Sequence, residues 1–134
     1  MTRILVIDDQ SDVRAMICMV LQANHFEVAE AASAAAGLKI FEQSAFDVAI
    51  VDVFLDDANG FDVIATMCAK DPDLSAVAVS GMTSFDPASH SAEPSRVVYL
   101  RKPFRPNELI GAIEAAQLSR PSAGAGALLA TEAG

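Results

Sequence analysis

The sequence has only two cysteines, only nine basic residues and no long apolar run. Cys18 and Cys68 each fall in an apolar helical pattern, with no C-x-x-C and no histidine placed as a ligand beside them. That excludes a disulfide scaffold and a Cys/His metal site, and it fits core packing in a reducing cytosol. Nine bases against 18 acids give a formal charge of -9. A surface of that sign does not bind a phosphate backbone or anionic lipid as a whole, so neither nucleic acid nor membrane is expected as a partner. No apolar stretch approaches the ~18 residues of a membrane span. The few apolar residues between Arg3 and Asp8 are too short a run for a signal peptide. The expected location is cytoplasmic.

What the chain does have is a large apolar share in a small length. Hydrophobic residues make up 52% of 134, and 25 of them are alanine. That is enough for one core, packed closely by small side chains. The charge is uneven. Residues 1–75 carry 13 acids and 4 bases, while residues 76–134 carry 5 of each. Arg96, Arg101, Lys102 and Arg105 crowd into ten positions, as a partner contact or as charge around Lys102.

The patterning alternates. Ile4-Leu5-Val6-Ile7 reads as a strand buried on both faces. Ser11 is expected to cap a helix from Asp12, with Val13, Ile17, Val20 and Leu21 on one side, broken by Asn24-His25. Residues 26–31 form a weak second strand. Ser33 opens a helix through Leu38 and Phe41 to about Gln43. Residues 47–53 form a third strand and 54–60 a loop. A helix over 61–70 ends at Asp71-Pro72. Residues 76–79 and 97–100 form two more strands. Pro106 and Asn107 lead a last helix over 108–118. This alternation predicts a doubly wound α/β fold: a five-stranded parallel sheet in the flavodoxin-like order 2-1-3-4-5, with helices on both faces and right-handed crossovers. Residues 1–118 make the domain. Residues 119–134, rich in Ala, Gly and Ser, read as a flexible tail.

In such sheets ligands bind at the carboxyl ends of the strands, beside the point where strand order reverses. Asp8 and Asp9 follow strand one, Asp52 ends strand three, Ser80 closes strand four and Lys102 follows strand five. Three converging carboxylates repel one another, and a hard divalent cation removes that penalty. Asp8, Asp9 and Asp52 thus read as a Mg2+ cradle, with Lys102 as a point charge and Ser80 as a hydroxyl donor. Together they suit a phosphoryl group. Any of the carboxylates could be the nucleophile, and Asp52 is placed best, between the acid pair and the basic group.

Four segments carry a family resemblance: Ile4-Leu5-Val6-Ile7-Asp8-Asp9, Val48-Ala49-Ile50-Val51-Asp52, Val77-Ala78-Val79-Ser80-Gly81 and Tyr99-Leu100-Arg101-Lys102-Pro103-Phe104. On these the chain resembles the response-regulator receiver domain (CheY-like) of two-component signalling, over roughly residues 2–118. The resemblance implies that Asp52 accepts a phosphoryl group from the phosphohistidine of a sensor histidine kinase or histidine phosphotransfer protein. It implies Mg2+ held by Asp9 directly, by Asp8 mostly through water, by Asp52 and by the backbone carbonyl of Phe54. Lys102 would pair with the phosphoryl oxygens and be joined to Pro103 by a cis bond. Ser80 would be drawn to the phosphoryl group, with Tyr99 turning inward behind it. That would change the face of helix four, strand five and helix five, through which a downstream protein is expected to dock.

Two departures stand beside the resemblance. Residues 82–95 lack the family's long fourth helix. Pro87 and Pro94 there predict a short or mobile helix, with His90 facing solvent. Phe54 and Met82, two residues after Asp52 and Ser80, are expected to hinder the hydrolytic water and slow self-dephosphorylation. A flavin carrier of the same sheet order would need a hydroxyl- and glycine-rich loop after strand one, and Asp8-Asp9-Gln10-Ser11-Asp12 stands there instead. An aspartyl-phosphate phosphatase would need D-x-D-x-T at Asp52, which is followed by Val-Phe-Leu-Asp56. A receiver-like binding module acting without phosphorylation is the remaining alternative, against which the full set Asp8, Asp9, Asp52, Ser80 and Lys102 stands. The expected protein is a stand-alone receiver, not itself an enzyme, that signals through partners or a phosphorelay.

Overall fold

A computed structural model describes residues 2–81 and 97–119. The elements run β1 (Arg3–Ile7), α1 (Ser11–Ala23), β2 (Glu27–Ala31), α2 (Ala34–Gln43), β3 (Val48–Asp52), α3 (Gly60–Lys70), β4 (Ser75–Ser80), β5 (Val98–Arg101) and α4 (Pro106–Ser119). The helix expected between Asp86 and Pro94, with Met82, His90 and Arg96, lies outside the described residues, as does the chain from 120 onward.

All four strand pairings are parallel, and the order is β2-β1-β3-β4-β5. Successive strand residues point to opposite faces, which divides the core in two. Leu5, Ile7, Ala49, Val51, Ala76 and Ala78 face Phe41 of α2 and Phe61, Ile64 and Met67 of α3. Ile4, Val6, Val48, Ile50, Val77 and Val79 face Ile17 and Leu21 of α1 and Leu109 and Ile113 of α4. Helices therefore cover both faces, and β1, β3 and β4 are apolar on both sides because both sides are buried.

The helix ends follow local chemistry. Ser33 accepts from Ala36 N–H and opens α2 as expected, and Asn59 accepts from Phe61 N–H to open α3. At α4, Pro106 lies inside the first turn, where its missing N–H costs nothing, and Glu108 reaches back to Arg105 N–H at 2.7 Å. His25, at φ 68°, turns the chain out of α1. One expectation is corrected: Ser11 does not cap α1. The preceding residue, Gln10, holds the cap position with no side-chain cap bond, and Ser11 is already helical. The Gln10 N–H is drawn instead to Asp8 Oδ1, which fixes the turn one residue early.

Candidate phosphoacceptor site

The register builds the site. Ile7 pairs with Val51, so Asp8 and Asp52 leave their strands at the same level. Asp52 pairs with Val79, and Ser80 with Arg101, which brings Ser80 and Lys102 to the same edge. Asp8, Asp9 and Asp52 offer carboxylate oxygens all within 4.8 Å of one another. Lys102 Nζ lies 3.1 Å from Asp8 Oδ2 and 3.2 Å from Asp52 Oδ2. Its backbone N–H donates to the Ser80 carbonyl at 2.8 Å, and the Lys102–Pro103 bond is cis. A cleft of about 420 Å³ opens over this edge, lined by Asp9, Gln10, Asp52, Phe54, Asp56, Gly81 and Lys102.

Each acid is held differently. Asp8 is buried, and burial pushes its carboxyl above the usual carboxylate range, against the lowering pull of the Gln10 N–H and Lys102. Its Oδ1 accepts from Gln10 N–H at 2.9 Å. Its Oδ2 is buried with no hydrogen-bond donor, because the nearby ammonium is close enough for an ion pair but not aligned for a hydrogen bond. Asp52 Oδ1 accepts from Phe54 N–H at 3.0 Å, and Asp9 Oδ2 from Asp56 N–H at 2.9 Å. Three carboxylates and one ammonium leave two negative charges together, which one divalent cation would balance. An all-oxygen donor set, a buried Asp8 oxygen with no hydrogen-bond partner and that charge all fit Mg2+.

Several contributors were not assigned roles from the sequence. Arg14 donates to the Asp8 carbonyl at 2.7 Å and to Glu30 Oε1 at 3.0 Å, which fastens the acid turn to β2. Asp57 accepts from Ala34 and Ala35 N–H with its two oxygens, and these bonds hold its carboxyl below the usual range. It thereby ties the loop after Asp52 to the start of α2. Asp56 stands at the cleft with its carboxyl pushed up, chiefly by the neighbouring Asp9. Gly60 N–H donates to the Val53 carbonyl, and a Cβ on Gly60 would run into the Asp52 carbonyl and lie 2.7 Å from Val53 Cα. The Asp-Asp-x-Asn-Gly run marks a loop in the sequence. Which of its acids caps which helix depends on tertiary contact.

Tyr99 does not line the cleft. It is half-exposed on β5, edge-on to Phe61 with ring centroids 5.8 Å apart. Phe54 is 48% exposed at the cleft wall. Among the described residues no helix is long and apolar enough to cross a membrane.

A five-stranded parallel α/β sheet in this order, with an acid cluster and a lysine at its carboxyl edge, is the architecture of a signalling receiver domain. The response regulator receiver domain family matches residues 4–114, and the chain belongs to it. It is 32% identical over 107 residues to the alginate biosynthesis transcriptional regulatory protein AlgB of Pseudomonas aeruginosa, covering 80% of this chain and 24% of that one. It is 32% identical over 113 residues to the transcriptional regulatory protein PrrA of Mycobacterium tuberculosis, covering 84% and 48%. The chain thus spans a quarter to a half of these relatives. Among solved structures, a receiver domain protein from Clostridium thermocellum aligns with TM-score 0.76 and 30% identity, over 87% of this chain and 94% of that one. TrrA of Thermotoga maritima, solved in complex with Mg(2+)-BeF, aligns with TM-score 0.74 and 25% identity, over 85% and 97%.

Proposed function

We propose that this receiver domain is a Mg2+-dependent phosphoacceptor in which Asp52 takes a phosphoryl group from the phosphohistidine of a sensor histidine kinase or histidine phosphotransfer protein. The observation that carries this reading is the convergence of Asp8, Asp9, Asp52 and Lys102 on one cleft. An Asp52 oxygen forms the new P–O bond. The P–N bond to the donor imidazole breaks, and its electron pair leaves with the nitrogen. Asp8, Asp9, Asp52 and the Phe54 carbonyl would hold Mg2+, which supplies charge neutralisation for the phosphoryl oxygens. Lys102 adds an ammonium next to Asp52, and Ser80, whose carbonyl fixes Lys102, offers its hydroxyl. Phe54 N–H orients the acceptor through Oδ1.

The output is a change in the face made by β5 and α4. Ser80 and Tyr99 carry the change, and a partner protein reads it or takes the phosphoryl group onward. Phe54, exposed at the cleft wall, keeps water from the acyl phosphate, so the phosphorylated state is long-lived. A half-life of seconds in Mg2+ contradicts that point, and Phe54→Asn should shorten the lifetime several-fold.

The test of the acceptor is intact-mass measurement after incubation with Mg2+ and acetyl phosphate or a phosphohistidine donor. The wild type should gain one phosphoryl group and Asp52→Asn none. A gain that persists in Asp52→Asn overturns the assignment.

A further inference from the structure

Asp8 leaves β1 held at three points. Its N–H donates to the Ala31 carbonyl at 3.1 Å, its Oδ1 accepts from Gln10 N–H at 2.9 Å, and its carbonyl accepts from Arg14 Nη1 at 2.7 Å. The third bond fixes the plane of the Asp8–Asp9 peptide, because a peptide unit is rigid and turns as one piece with its carbonyl. That peptide joins two of the three clustered acids. Arg14 is itself anchored. It stands in the first turn of α1, its side chain is 17% exposed, and its Nε donates to Glu30 Oε1 of β2 at 3.0 Å. The planar fork of the guanidinium thus reaches from a β2 side chain to the Asp8 carbonyl. Glu30 balances its charge, so what Arg14 passes to the cluster is direction more than charge.

We propose that Arg14 is a positioning residue: with Glu30 as its anchor, it sets the direction in which Asp9 follows Asp8 and so keeps the carboxylates convergent. The role rests on reading the acid cluster as a Mg2+ site. Mg2+ demands near-ideal octahedral geometry, whereas Ca2+ accepts a flexible one. A ligand that swings off its direction therefore costs Mg2+ more than Ca2+. A pure charge effect has the opposite sign, since removing a cation beside three acids favours both ions.

Mg2+ and Ca2+ titrations, followed through the amide NMR shifts of the cleft, compare wild type, Arg14→Met, Glu30→Met and the double variant. Arg14→Met should weaken Mg2+ binding about ten-fold, the scale of one hydrogen bond from a charged group, and Ca2+ binding distinctly less. Glu30→Met releases the guanidinium and should weaken Mg2+ binding in the same direction. In the Arg14→Met background it should add nothing, since the coupling is lost with its carrier. Lys70→Met breaks an exposed pair of similar geometry, Lys70–Glu42 at 2.8 Å, and should leave both affinities unchanged. If Arg14→Met does not fold, Arg14→Gln carries the same comparison. Unchanged Mg2+ affinity, tighter binding of both ions, or an equal loss for both overturns the role alone. So does a Glu30→Met effect that persists without Arg14, or a loss of the same size in Lys70→Met. If the wild type shows no saturable Mg2+ response, the metal reading falls and takes this role with it.

Discussion

At the scale of single residues, the site is a balance of unpaired charge. Asp8 is 1% exposed, and its carboxyl titrates above 3.8, burial being the largest cause. A raised carboxyl favours the protonated folded state. Its contribution to stability is therefore greatest at low pH, falls as pH rises from 3.8 through the raised value, and is a fixed penalty beyond. Asp8→Asn should accordingly raise the melting temperature of the metal-free protein at neutral pH by a few degrees, and it should weaken Mg2+ binding by at least about ten-fold. Calorimetry with and without Mg2+ reads both. A variant that loses stability at neutral pH while keeping its Mg2+ affinity contradicts the assignment of Asp8. Strand-end acids and a lysine were legible at this scale only as an ordered set at successive strand ends, because each alone is more often a cap or a turn. Gln10 as the partner of Lys102 was not, since the two are 92 positions apart.

At the scale of elements, the loop from β3 to α3 is the part under the tightest geometric demand. Asp52, Phe54, Asp56, Asp57, Asn59 and Gly60 each use a backbone or side-chain bond within nine positions. Gly60 is required because a Cβ would meet the backbone of Asp52 and Val53. A Cβ on Gly37 would meet only the Ile7 side chain. Gly60→Ala should therefore destabilise by about 1–3 kcal/mol, while Gly37→Ala costs less, because a side chain can yield where backbone cannot. Urea unfolding of the two variants decides the order, and Gly60→Ala should also weaken Mg2+ binding because the end of β3 must move. The element order was legible from alternation of apolar runs with helical periodicity. The α1 cap was not: Ser11 is a good cap by type, and a local bond from Gln10 N–H back to Asp8 Oδ1, two residues away, goes with a helix start one residue earlier.

At the scale of the molecule, the parallel order β2-β1-β3-β4-β5 explains why so few residues define the site. Parallel register lines up every strand end on one edge, and the switch between β1 and β3 opens the cleft there. This much follows from sequence, because the strand-end residues are fixed once the strands are. The negative charge of the N-terminal half takes on a specific meaning as well. Asp8, Asp9 and Asp52 bring carboxylate oxygens within 4.8 Å of one another, Lys102 ion-pairs with two of them, and Asp57 is a clamp on α2. A ligand that binds only the folded chain stabilises it, by about 2.7 kcal/mol at a hundredfold excess over its Kd. Mg2+ should thus raise the melting temperature by several degrees beyond an equal ionic strength of NaCl. Replacing Asp8 and Asp9 together by Asn should abolish the difference.

The central claim is that Asp52 becomes an acyl phosphate. Its most direct test is to phosphorylate the protein with acetyl phosphate and Mg2+, reduce with borohydride, and map peptides by mass spectrometry. Acyl phosphates are converted to homoserine, and free carboxylates are untouched. Conversion at position 52 alone, lost when Mg2+ is chelated, is the result expected. Conversion at Asp8, Asp9 or Asp56, or none at position 52 while phosphoryl is incorporated, contradicts it.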